Sequence, residues 1–444
     1  MRKLLKNNSA PPIFLGAFIG VITLLPFMRV RVNYEYIELS GALQFIVFVG
    51  LFVGLIAFAN FRFSELFSEF KYLSLNQSCL LFLLWCAVAV ISSFVGQDPI
   101  LSLKRATLAL VPACLVYFTA YSCADPRKIL KGFVLGMCLI TLVSIFYALA
   151  GWIAEITNTD PNVRHGTFFL FGLEFSQSLG QRHILFNNEL IELQRFSGFY
   201  PNPNGIGIVS AICLIFLTLI KKDMPRTYVF LLVVMVLGLL LSGSRMSLLL
   251  VISSCAYFIL SPRLRTKIFN VPSAILVFLF LIVLIFVWAE FSQEISNMFD
   301  GSRQEFLSLG ERGNGFLKAI EVASQNWFIG SGFGLGAEVV FGKQADVMAI
   351  HSVILNAIVE TGFLGAILIS ALWVRPLISE HKVTTAEHSK DLQTLCLNAV
   401  VFGLLVAELF DLSVTRFHYI HLVLFFLLGL SSAFQRRGRK RIET

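Results

Sequence analysis

A histidine opens an apolar run at Ala349-Ile350-His351-Ser352, and Ser352, Asn356 and Glu360 follow at intervals of four residues. Intervals of four place the three polar groups on one stripe of a helix. Polar groups are costly in lipid, so that stripe is expected to face protein. An imidazole titrates near neutral pH when unperturbed, so His351 could accept a proton from a hydroxyl. A base at the mouth of a membrane segment points to chemistry on a substrate carried in lipid.

Three arginines belong to the same set. Arg195 precedes the turn-rich stretch Phe196-Ser197-Gly198-Phe199-Tyr200-Pro201-Asn202-Pro203-Asn204-Gly205. Arg245 closes the turn Ser242-Gly243-Ser244, and Arg312 lies in Glu311-Arg312-Gly313-Asn314-Gly315. Guanidinium is always charged and binds two oxygens at once, which suits a diphosphate. An arginine at a helix end commonly snorkels to headgroups, and a lone interfacial histidine is commonly structural. The case rests on all four residues falling on one side of the membrane. Ser352, Asn356, Glu360 and Asp411 are the weaker candidates. Asp411 shares a short outer turn with Arg416 and is placed to pair with it. Lys104-Arg105 also falls outside, where contact with lipid phosphate is expected.

These residues need a membrane scaffold to position them. The chain is 57% hydrophobic and 14% charged, with a mean hydropathy of +0.78. That composition excludes an ordinary soluble domain. Twelve apolar runs are long enough to be read as spans: 11–29, 42–60, 78–96, 106–122, 132–151, 204–220, 227–242, 246–260, 271–289, 350–372, 393–410 and 417–434. The first is expected to stay as an uncleaved helix. Basic turns such as Lys221-Lys222-Asp223-Met224-Pro225-Arg226 and the tail Arg436-Arg437-Gly438-Arg439-Lys440-Arg441 mark the cytoplasmic side and put both termini there. The formal net charge of +8 then reflects topology and anionic membrane lipid, and no nucleic-acid partner is expected.

The fold expected is an all-α polytopic membrane protein, one integral-membrane domain over 1–444. Two long outer loops interrupt it, at 152–203 and 290–349. The first is expected to hold a short hairpin or lid, the second an amphipathic surface helix from Phe316 to Ser324. Gly330-Ser331-Gly332-Phe333-Gly334-Leu335-Gly336 does not follow a buried strand, so it is not read as a nucleotide loop; it is expected to pack its backbone against the His351 helix. The eight cysteines avoid the large outer loops, so no disulfide is expected. No Cys/His ligand spacing and no outer Asp-x-Asp pair occurs, so no metal is expected.

The order Arg195 with Gly198 and Pro203-Asn204, Ser244-Arg245, Arg312, Gly330-x-Gly332-x-Gly334, then His351-Ser352-x9-Gly362-x2-Gly365 resembles the O-antigen ligase/polymerase superfamily of bacterial inner-membrane glycosyltransferases. The resemblance runs over about 195–370. It implies a GT-C-type fold with two long periplasmic loops. It implies an undecaprenyl-diphosphate-linked glycan donor, used without nucleotide sugar, metal or other cofactor. The acceptor would be lipid A-core for a ligase, or another lipid-linked glycan for an O-antigen or exopolysaccharide polymerase. Carried over by motif, Arg245 and Arg312 would bind the diphosphate, with Arg195 a less regular third, and His351 would orient or deprotonate the acceptor. Protein-glycosylating relatives usually carry a large outer C-terminal region, which is not expected here. A twelve-helix transporter is the rival class. Carriers commonly show internal repeats and midplane polar sites, whereas no repeat is detectable here and the candidates crowd one face.

Overall fold

The computed structural model describes residues 12–32, 35–37, 41–58, 77–123, 125–157, 167–170, 173–177, 179–186, 189–219, 221, 225–264, 304–342, 350, 352–379, 392–409 and 418–443. Helices dominate: α1 Pro12–Leu24, α2 Gly41–Phe58, α3 Gln77–Val95, α4 Pro99–Ser122, α5 Pro126–Thr157, α6 Pro203–Leu217, α7 Pro225–Ser242, α8 Arg245–Leu264, α9 Gln304–Gln325, α10 Gly336–Phe341, α11 Val353–Ser379, α12 Leu392–Glu408 and α13 Tyr419–Glu443. Described helices cover eleven of the twelve predicted runs, and the run at 271–289 lies outside the described residues. Among the described residues, four helical segments, Gln77–Val95, Pro99–Ser122, Pro126–Thr157 and Val353–Leu377, are long and apolar enough to cross a membrane. The protein is a helical membrane protein.

Beside the helices, six short strands form among the described residues: β1 Val30–Val32, β2 Glu35–Ile37, β3 Thr167–Leu170, β4 Leu173–Ser176, β5 Leu179–Phe186 and β6 Glu189–Phe196. They make a four-stranded antiparallel sheet in the order β2-β1-β4-β3 and a separate β5–β6 hairpin. The hairpin expected in the first loop is therefore joined by a sheet that recruits the segment after α1. Aromatic side chains drive that pairing. Phe168 and Phe175 stack across β3 and β4, with Tyr147 of α5 edge-on to both. The Tyr147 hydroxyl donates to the Ser176 carbonyl at 2.9 Å.

The chain divides into two compact units, residues 1–62 with 123–254 and residues 63–122 with 255–444. In the first, α1 lies along α5 through two glycine pairs, Gly16 and Gly20 against Gly132 and Gly136. A methyl group on any of the four would collide with a carbonyl oxygen of the facing helix. Small residues four apart let two membrane helices approach backbone to backbone, where dispersion contacts stand in for the hydrophobic effect that lipid removes.

The second unit is built on aromatic packing. Phe82 and Trp85 of α3, Tyr117 of α4 and Phe425 of α13 form a buried stack, with Phe82 and Tyr117 centroids 4.2 Å apart. Two buried polar groups on these helices find partners across the bundle: the Tyr117 hydroxyl meets Ser432 Oγ at 3.0 Å, and His421 Nε2 meets the Ala109 carbonyl at 3.2 Å. Phe333, from the glycine-rich segment after α9, plugs this stack edge-on to Trp85. The predicted surface helix is longer than its sequence signal. It begins at Gln304, so Arg312 falls inside α9 rather than ahead of it.

Candidate functional site

The first unit places Arg195 and Arg245 at one set of turns. Arg195 ends β6, and the chain turns at Gly198, φ +60°, into α6. Asn202 caps α6 by accepting from the Gly205 amide at 3.1 Å, with Pro203 in the first turn, where its missing N–H costs nothing. The Gly198 amide donates to Gln177 Oε1 at 2.8 Å, and the Phe199 amide to Ser144 Oγ at 2.9 Å. Tyr200 is buried, its hydroxyl 3.2 Å from Thr141 Oγ1. Burial pushes its phenol well above the ordinary tyrosine range, so it stays neutral.

Onto this frame Arg195 folds across the end of α7. Its Nε donates to the Ser242 carbonyl at 2.7 Å, and an Nη donates to Asn204 Oδ1. Carbonyls at a helix C-terminus lack partners within the helix, so a guanidinium is well matched there. Gly243, φ +51°, comes so close that an added Cβ would sit 3.2 Å from Arg195 Cγ. The Ser244 amide then bonds Ser242 Oγ, and Ser244 Oγ takes the Ser247 amide at 3.3 Å, starting α8. Arg245 occupies the first position of α8 and is exposed. Arg195 thus braces the turn that presents Arg245.

The second unit holds the polar stripe. Ser352, Asn356 and Glu360 are all buried, at 0%, 3% and 0% exposure, so the stripe faces protein as expected. Glu360 Oε1 accepts the Gly336 amide at 3.2 Å. A Cβ at Gly336 would collide with Asn356 Oδ1 and sit 3.0 Å from Glu360 Oε1, so only a hydrogen fits between the two side chains.

Directly after Glu360 the helix breaks. Gly362 adopts φ 69°, ψ −176°, a region open to glycine alone. The break frees backbone groups, and the glycine-rich segment takes them up. The Ser331 amide donates to the Val359 carbonyl at 2.8 Å, the Gly332 amide to the Glu360 carbonyl at 3.1 Å, and the Phe363 amide to the Trp327 carbonyl at 2.7 Å. Ser92 of α3 adds a hydroxyl to the Glu360 carbonyl. Unsatisfied backbone is expensive in lipid, and a broken helix is tolerated there only when other protein groups complete it. The predicted close approach of Gly330–Gly336 to the helix after His351 is therefore present, and its reason is this exchange of hydrogen bonds.

Residues 230–370 match the family model described as O-antigen ligase. That segment is similar to the O-antigen ligase family over about a third of the chain. A comparison with curated proteins finds no match. The O-antigen ligase segment begins in α7 and ends in α11, just past Gly362 and Gly365, so it takes in Arg245, Arg312, the glycine-rich segment, His351, Ser352, Asn356 and Glu360. Arg195 and Asp411 lie outside it.

The predicted residues divide accordingly. Arg195 meets the Arg245 turn, and Ser352, Asn356 and Glu360 share a stripe. Arg312 is placed on α9. His351 and Asp411 lie outside the described residues. Arg105 departs from the expected lipid contact: it pairs with Glu338 at 2.7 Å. The sequence reading named Asn204, Ser242 and Gly336 within their motifs without giving them partners, and it passed over Glu338. A serine ahead of Gly-Ser-Arg is a legible turn signal, whereas the partners of Glu338 and Gly336 are distant in sequence and leave no local trace.

Proposed function

We propose that the protein is a glycosyltransferase of the periplasmic face of a bacterial inner membrane, moving an undecaprenyl-diphosphate-linked glycan to an acceptor sugar hydroxyl. The acceptor in this reading is lipid A-core, which makes the activity that of an O-antigen ligase. The observation that carries it is the O-antigen ligase match over 230–370, within which Gly362 of the His351-Ser352-x9-Gly362-x2-Gly365 pattern breaks α11. The reading places the protein in the membrane with twelve spans, a GT-C-type fold and both termini in the cytoplasm.

The chemistry is one displacement at the anomeric carbon, with inversion. The acceptor oxygen bonds to that carbon as the bond to the diphosphate oxygen breaks, and the acceptor proton passes to His351. The departing diphosphate collects negative charge. Arg245 and Arg312 supply fixed positive charge for it, which counts for more in a site of low dielectric than in water. Arg195 contributes by holding the turn that carries Arg245. Ser352, Asn356 and Glu360 shape the helix behind the base. No step uses a metal or a nucleotide.

The test is the surface-glycan gel profile of a deletion strain. Core lacking polymer, with long lipid-linked polymer accumulating, is the expected result for a ligase. Core carrying a single repeat unit would instead identify a polymerase. An unchanged profile would reject both O-antigen readings and direct attention to other polymers first, then to transport.

A further inference from the structure

Arg105 stands in the second turn of α4 and spans two acceptors of one segment. One Nη donates to the Gly334 carbonyl at 2.5 Å, and the other lies 2.7 Å from Glu338 Oε1 on α10. Neighbouring groups grip the same stretch. Ser102 Oγ, nearly one turn before Arg105, donates to the Phe333 carbonyl at 2.8 Å, and the Gln97 amide donates to the Ser331 carbonyl at 3.1 Å. An added Cβ at Gly334 would reach 2.9 Å from Arg105 Cβ, so backbone and side chain are already in contact. From the other side, Glu360 of α11 takes the Gly336 amide. Residues 331–338 are therefore clamped between the start of α4 and the polar stripe of α11, and the chain runs on from there to His351.

We propose that Arg105 is a positioning residue for glycosyl transfer: with Glu338 it fixes the glycine-rich segment against the polar stripe of α11, the helix that follows His351 in the chain. The assignment rests on the glycosyltransferase reading. A guanidinium is needed because its planar fork reaches a carbonyl and a carboxylate at once, which an ammonium on a flexible stem does not reproduce. Lys104, exposed beside it, has no such part.

The test uses the full-length protein in liposomes, with its lipid-linked glycan donor and acceptor. Arg105→Gln, Arg105→Lys and Glu338→Gln are each expected to lower kcat by roughly ten- to a hundred-fold with donor KM nearly unchanged, and Lys104→Gln to match the parent. A raised donor KM in Arg105→Gln, with Glu338→Gln behaving as the parent, would overturn the proposal and make Arg105 a phosphate contact. A second measurement guards against variants that fail for lack of folding. Val339→Cys is placed on α10, and its reaction with a membrane-impermeant maleimide is followed above the background of the native cysteines. Arg105→Gln should speed that reaction several-fold; an unchanged rate would overturn the proposal whatever the kinetics. If the parent protein transfers no glycan in these liposomes, the functional reading falls and the transfer role with it, while the labelling rate still decides whether Arg105 holds the segment.

Discussion

Two turn regions of this protein are held by opposite means. Around Arg245 the backbone is ordered by side chains: Asn202 caps α6, Ser244 starts α8, and Arg195 bridges the α7 terminus to Asn204. Around Gly362 the backbone is ordered by backbone: the glycine-rich segment and the broken α11 trade amides and carbonyls directly. The first arrangement leaves a charged group exposed at a helix start. The second buries a carboxylate completely beside a helix break. A charge that must meet a substrate can be presented on a capped turn, whereas a chain that must hold its place at membrane depth has to satisfy every peptide group from within the protein.

Substitutions at four positions would break or sharpen that contrast. The largest effect is expected at His351, which precedes α11 in the chain. His351→Ala should lower transfer by about 10²–10⁴-fold, the usual range for a general base, with membrane insertion and the melting profile in detergent unchanged; full activity would remove the base from the scheme. Next comes Gly362→Ala. The backbone there costs a residue with a Cβ roughly 1–3 kcal/mol, and the new methyl would also collide with the Phe328 carbonyl. A clear drop in the detergent melting temperature should accompany lost activity, and a parent-like melt would show that the break is not held as rigidly as its hydrogen bonds imply.

Arg245→Ala should cost activity without that loss of stability, since Arg245 is exposed. About ten- to a hundred-fold in kcat/KM corresponds to one charge-assisted hydrogen bond. Arg245→Lys should fall nearly as far if two-pronged binding of the diphosphate matters, and a lysine variant close to the parent would reduce Arg245 to a point charge. The smallest effect is expected for Asn202→Ala, which removes a cap worth about 1 kcal/mol. A melting shift with little change in turnover would confirm that this residue serves the frame and not the substrate.

Much of this was legible beforehand. The four-residue spacing of Ser352, Asn356 and Glu360 announced a buried stripe, and all three side chains are buried. The glycine-rich segment announced a close backbone approach, and the approach is there. Other features carried a signal that was passed over: Gly16-x3-Gly20 and Gly132-x3-Gly136 are legible pairs of small residues, and they join α1 to α5. α9 extends well ahead of its amphipathic stretch because Gly313 and Gly315 can be carried inside a helix at a modest cost. The strands were harder. β1 and β4 lie far apart in the sequence, and pairing between such distant segments depends on aromatic contacts with α5 that no local pattern encodes.

By itself the sequence determined that the chain is a helical membrane protein, which residues could do chemistry, and that residues 230–370 carry an O-antigen ligase pattern. Composition, periodicity and motif spacing are local properties, and they survive without coordinates. Only the tertiary structure decided that Arg195 braces a turn, that Arg105 grips Glu338 and the Gly334 carbonyl, and that Gly362 breaks α11 where another backbone completes it. Each depends on which distant acceptor lies within hydrogen-bond reach, and that is set by the packing of helices far apart in the chain.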